Sequence, residues 1–173
     1  MSDYPKGTKY ITVRNEIWQC VVEEPPQKRQ ICYLSKNKLK SKLIDFPYYQ
    51  IFYIRAFLHT DNLFYQYSAD TKLVFTDKSI SSIEDKVSFA NYPDMYPDGK
   101  ICVSVYPESK FEDLVNNVIN KYWSLPLSFY YNATYLQGMI SAYIGFKPKL
   151  NKNKIFLRPI VPVPLRTLFY GER

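Results

Sequence analysis

The residues best arranged for chemistry lie in Tyr92-Pro93-Asp94-Met95-Tyr96-Pro97-Asp98-Gly99-Lys100-Ile101-Cys102, a turn-rich run that ends on a thiol. Two prolines fix their own φ and push the preceding residues toward extended backbone, so the run is a loop and not a helix. Asp98-Gly99 supplies turn chemistry, and Lys100 to Val105 then reads as extended. Cys102 therefore leaves a stiff turn, the kind of support that holds a reactive side chain in place. A thiol presented this way is a candidate reactive group. The plainer reading is a buried structural cysteine, one of three in the chain.

Other nucleophile schemes have less to work with. The single histidine, His59, ends a strand-like run, and nothing in the sequence pairs it with Cys102. Glu23-Glu24 and Glu84-Asp85 read as surface charges, so no hydrolase-type carboxylate pair is assigned. Cys20, Cys32 and Cys102 match no zinc spacing, and no metal or cofactor is expected. The five glycines form neither a Walker nor a Rossmann pattern.

The elements that must position the loop can be read from pattern. With 173 residues, the chain is expected to form a single domain over 1–173 with a core of its own. Tyr10 to Val22 is rich in β-branched and aromatic residues and is broken at Asn15, so one or two strands are predicted there. Arg29 to Leu34 reads as a short strand, and Tyr49 to Leu58 is the most apolar of the set. Leu63 to Tyr67 and Lys72 to Thr76 continue the meander after a turn at Asp61-Asn62, and Asp77 to Asp85 is a polar loop. Ser109-Lys110-Phe111-Glu112 has the form of a capping box. Behind it Phe111, Leu114, Val115, Val118, Ile119, Tyr122 and Trp123 recur at offsets of three and four, the core stripe of a helix that Pro126 ends. A second helix is placed near Ala133 to Tyr143, and the proline-rich stretch from Arg158 to Pro164 must be extended. Strands followed by helices give the α+β class: an antiparallel meander sheet, the loop, then helices packed on one face.

The formal charge of +7 suits nucleic acid, an anionic membrane or an acidic protein. Lys36, Lys38, Lys40 and Lys42 alternate, which in an extended segment sets them on one face, while Lys147, Lys149, Lys152 and Lys154 surround a polar loop. The many tyrosines and phenylalanines read mainly as core, and the lysines give no sign of converging on one surface. A basic nucleic-acid-associated module is therefore a weaker reading. The odd cysteine count, the lack of a long apolar run and the polar start Met1 to Lys6 point to a cytoplasmic protein with no membrane partner.

The loop resembles the active-site segment of ubiquitin-conjugating enzymes, whose motif is His-Pro-Asn, a short turn that usually contains Gly, and a catalytic Cys eight residues after the Asn. Pro93 matches the motif proline, Asp94 stands at the Asn position and Tyr92 at the His position, and Cys102 lies eight residues after Asp94. Tyr96-Pro97-Asp98-Gly99-Lys100-Ile101-Cys102 is similar to the family's turn nearly throughout. The likeness is specific over Phe89 to Cys102 and loose over 45–125, and it is to an outlying branch, similar to prokaryotic ubiquitin-conjugating-like proteins. Those proteins carry a Phe-rich stretch to which Ser124 to Asn132 is distantly similar.

The resemblance implies a ubiquitin-conjugating-like fold and a transferase that accepts a ubiquitin-like protein from an activating-like enzyme. Cys102 would hold it as a thioester and pass it to an amine of a protein acceptor. Asp94 is then an altered second catalytic position: ionised, it only accepts hydrogen bonds, so it can orient or deprotonate an amine, or cap the turn, but cannot donate to an oxyanion. Tyr92, Pro93, Tyr96, Pro97, Asp98 and Gly99 form the supporting loop, and Ser104 or backbone amides near Cys102 replace the donor. The other reading of the same resemblance is a non-catalytic variant that serves as a binding or assembly subunit.

Overall fold

A computed structural model describes residues 3–35, 38–46, 48–89, 99–124 and 162–170. The motif's Tyr92, Pro93, Asp94, Tyr96, Pro97 and Asp98 lie outside the described residues, as do the second helix expected at 133–143, the lysine cluster at 147–154 and Pro126.

Nine strands and two helices are described, with the antiparallel, α+β character expected. Asn15 takes a left-handed φ of 56°, and the break there separates β1 (Thr8–Arg14) from β2 (Ile17–Glu24), which pair as a hairpin. Pro25-Pro26 ends β2. Next come β3 (Gln27–Ser35) and β4 (Lys38–Phe46), paired with each other alone in a two-stranded sheet. β5 (Tyr49–His59) returns to the main sheet, followed by β6 (Phe64–Tyr67), β7 (Lys72–Thr76), β8 (Lys86–Phe89) and, after the loop, helix and undescribed stretch, β9 (Val163–Pro164). The main sheet runs β1-β2-β5-β7-β8-β9, and β5 also pairs β6 through its last four residues. The meander is thus interrupted by a hairpin that stands outside it.

β5 reads as almost uninterrupted apolar sequence because both of its faces are covered. Phe52, Ile54 and Ala56 face one core, shared with the buried stripe Phe111, Leu114, Val115, Val118, Ile119 and Tyr122 of α1 (Phe111–Ser124). Ile51 and Tyr53 face a second core, closed by Ile80, Val87, Leu165 and Leu168. The covering is therefore two-sided, not one-sided as expected: the short α2 (Arg166–Tyr170) packs Leu168 on the face opposite α1. β9 and α2 reach that face through Leu165 N–H to Asp85 C=O (2.9 Å) and Arg166 N–H to Ile83 C=O (2.7 Å). Pro164 sits at the sheet edge, where its missing N–H costs nothing.

Two local expectations are corrected. Among the described residues Ser109 and Glu112 make no capping-box bonds; the first helical bond runs from Leu114 N–H to Lys110 C=O (3.3 Å), one residue later than the box requires. Glu112 and Asp113 still place negative charge on the first turn, which favours the helix dipole. Glu23 is not a surface charge either. It is buried, accepting from Ile80 N–H (2.6 Å) and Ser79 Oγ (2.7 Å) and pairing with Lys9 Nζ (3.4 Å). Its neighbour Glu24 accepts from Trp123 Nε1 (2.9 Å) and pairs with Arg29.

Candidate functional site

Cys102 stands on a strap, residues 99–108, that crosses the α1 side of the sheet antiparallel to β6 and β7. The strap is pinned at both ends. Leu73 N–H donates to Gly99 C=O (3.0 Å) and Ile101 N–H to Thr71 C=O (3.0 Å) at the start, and Tyr65 and Glu108 exchange bonds of 2.7 and 3.1 Å at the end. Gly99 enters the strap buried and at φ +86°, a conformation that a Cβ would penalise. The alternation of an extended chain then sorts the side chains. Ile101 and Val103 are buried in the α1-side core, while Cys102 and Ser104 between and after them are exposed. Cys102 is thus held outward by the burial of both neighbours, and of the three cysteines only it is exposed.

Between the pinned ends the strap is unpaired. The amides of Cys102, Val103 and Ser104 donate to no acceptor among the described residues, which leaves backbone donors beside the sulfur. Ser104 shares the outward side, and its carbonyl accepts from Lys121 Nζ of α1. Two cations meet one carboxylate near the start of the strap. Asp70, at the turn before β7, accepts from Arg55 Nη1 (3.2 Å) and pairs with Lys100 Nζ (3.4 Å). Burial pushes the Tyr67 hydroxyl up to about 12, and a negative charge on nearby Cys102 pushes the same way, against the effect of the Thr71 hydroxyl. Tyr67 stays neutral and is no base at ordinary pH. His59 is engaged elsewhere, with Nε2 2.6 Å from Gln66 Oε1 and its ring stacked on Phe64 at 4.5 Å.

Beyond Ser104 the strap and α1 enclose an open groove of about 240 Å³ lined by Val105, Tyr106, Glu108, Asn117, Asn120 and Lys121. Tyr106 is 86 % exposed at its rim, and Asn117 Nδ2 donates to Glu108 Oε1 (2.8 Å). The sequence reading missed this groove. Its one legible trace is Asn117 and Asn120, three apart on the polar side of the helix. Among the described residues no group of three His, Cys, Asp or Glu side chains forms a metal-binding cluster, and no helix is long and apolar enough to cross a membrane.

No protein-family model, no curated protein and no solved structure matches the chain. The class defined by fold and site is accordingly an α+β protein with a two-faced antiparallel sheet that presents one outward thiol on a strap.

Proposed function

We propose that the chain is a ubiquitin-conjugating-like transferase, of the ubiquitin-conjugating-like fold, acting in the cytoplasm. Cys102 takes the C-terminal acyl group of a ubiquitin-like protein from the thioester of an activating-like enzyme. The Cys102 thiol gives up its proton and its sulfur attacks the acyl carbon. A tetrahedral oxyanion forms, and its collapse breaks the old C–S bond and releases the activating enzyme's thiolate, which takes up a proton to become the free thiol. An acceptor amine then attacks the new thioester, Cys102 leaves as thiolate, and the amine loses its proton to form the amide.

The observation that carries the reading is the outward Cys102 between buried Ile101 and Val103, eight residues after Asp94 in a turn of the family's pattern. The unpaired amides of the strap support it by offering oxyanion donors where Asp94 has none to give. The groove beside the strap supports it further, since Asn117, Asn120 and Tyr106 offer polar contacts to an extended peptide tail. Asp94 itself favours the second reading, a non-catalytic binding subunit, because a carboxylate replaces an amide.

Incubation with an activating-like enzyme, a panel of ubiquitin-like proteins and ATP decides between them. A thiol-reducible adduct that disappears in Cys102→Ala and persists in Cys20→Ala and Cys32→Ala is the expected result. Absence of any adduct leaves the binding subunit.

A further inference from the structure

The β3–β4 hairpin does not belong to the sheet that builds the site. Its base is clamped to the end of α1: the Arg29 guanidinium lies 4.2 Å from the Trp123 ring centroid and pairs with Glu24, and Phe46 meets Trp123 edge-on at 5.4 Å. Beyond the base the arm projects. Lys38, Leu39, Lys40, Ser41 and Leu43 are all exposed, with Leu39 at 64 % and Leu43 at 54 %. Nine paired positions per strand make an arm about 30 Å long.

Opposed residues in an antiparallel ladder share a face. By backbone register Lys38 and Lys40 share a face and stand opposite Ser35 and Tyr33, so no acid is in register with either. Asp45 lies on the other face, in register with Lys28. Neither Lys38 nor Lys40 forms an ion pair among the described residues. Alternate residues stand about 6.7 Å apart along a strand, so Lys38 and Lys40 form a closely spaced pair of cations on that face. An isolated two-stranded ribbon is marginal in water and gains from a partner that takes up its charge.

We infer that the lysine face of this arm is a docking surface for the phosphate backbone of duplex DNA. Charge complementarity to a uniformly spaced polyanion supplies the attraction, and a two-stranded ribbon has the cross-section that the major groove admits. The arm reads no sequence by this contact, since phosphate contacts position and do not specify. The inference is independent of the thioester chemistry of Cys102.

The test is fluorescence anisotropy of a short labelled DNA duplex of mixed sequence with the full chain, titrated across salt. Lys38→Gln/Lys40→Gln is compared with Lys78→Gln/Lys86→Gln, which removes the same charge from exposed positions on the body. The arm variant is expected to weaken binding more than tenfold at about 0.1 M salt and to flatten the log-log salt slope by about 1.8, two contacts at about 0.9 each. The body variant should stay within about twofold. Equal losses in the two variants, or no duplex binding at low salt, overturn the inference. So does preferential binding to anionic phospholipid vesicles that Leu39→Ser/Leu43→Ser abolishes.

Discussion

Replacing Glu23 tests whether one buried carboxylate ties the 77–85 loop to β2. Its oxygens accept from the Ile80 amide at 2.6 Å and from Ser79 Oγ at 2.7 Å, with Lys9 Nζ at 3.4 Å. Hydrogen bonds to a charged acceptor contribute about 1.5–3 kcal/mol each against about 1 for neutral ones. Glu23→Gln keeps the shape, loses the charge and turns one oxygen into a donor. The Ile80 bond then weakens by roughly 1 kcal/mol and the charge-assisted Ser79 bond gives way to a neutral one from Nε2 to Ser79 Oγ, a total loss of about 2 kcal/mol. The part-exposed Lys9 pair adds about 0.5 kcal/mol at most. Glu23→Ala also strands the buried Ile80 amide, and a loss of about 3–4 kcal/mol follows. For a chain of this size that is a fall in Tm of roughly 6–16 °C. Urea unfolding followed by circular dichroism measures it. If both variants unfold within about 0.5 kcal/mol of the parent, the carboxylate is not the tie and the reasoning fails.

Two further outcomes follow from the thiols and phenols. Under native conditions a colorimetric thiol reagent should react rapidly with one cysteine, the exposed Cys102, and burst labelling should vanish in Cys102→Ser; Cys20, fully buried, should react only on unfolding. Rapid native labelling of Cys20 would contradict the packing of β2. Burial pushes the Cys20 thiol up to about 12 from 9.0, and Tyr53 and Tyr67 up to about 12 from 10.0. These groups keep their protons in the folded chain longer than in the unfolded one, so their contribution is complete below about pH 9 and is lost as pH rises toward about 12. The urea midpoint should fall steadily over that range, and a flat profile would refute the assignment.

Much of the frame was legible because local pattern and tertiary demand agreed. The α1 stripe from Phe111 to Trp123 was readable as a 3.6-residue period, and every member packs toward the core. The break at Asn15 marked a turn that its left-handed backbone fulfils. Glu23 was misread because exposure is not a local property: its partners Ser79 and Ile80 lie 56 and 57 residues away. The capping box was misread by one residue, since Phe111, buried between Tyr4 and Trp18, sets where the helix starts. The cover on the second face was missed because Leu165 and Leu168 sit in a segment too short to show a period.

For Cys102 the division is clear. The sequence alone determined that a thiol follows a proline-rich turn and begins an alternating apolar run, because backbone restriction and period-two patterning are local. Which side of that run meets the core was decided by the fold. Ile101 and Val103 turn inward because α1 and β7 offer them a buried surface, and that burial, added to the bond from Ile101 N–H to Thr71 C=O and the pair exchanged by Tyr65 and Glu108, leaves the sulfur in solvent. The lysine pair divides the same way. Alternation fixed one face for Lys38 and Lys40, but only the exclusion of β3 and β4 from the main sheet made that face an arm, since β2 and β5 pair directly across the gap the hairpin leaves.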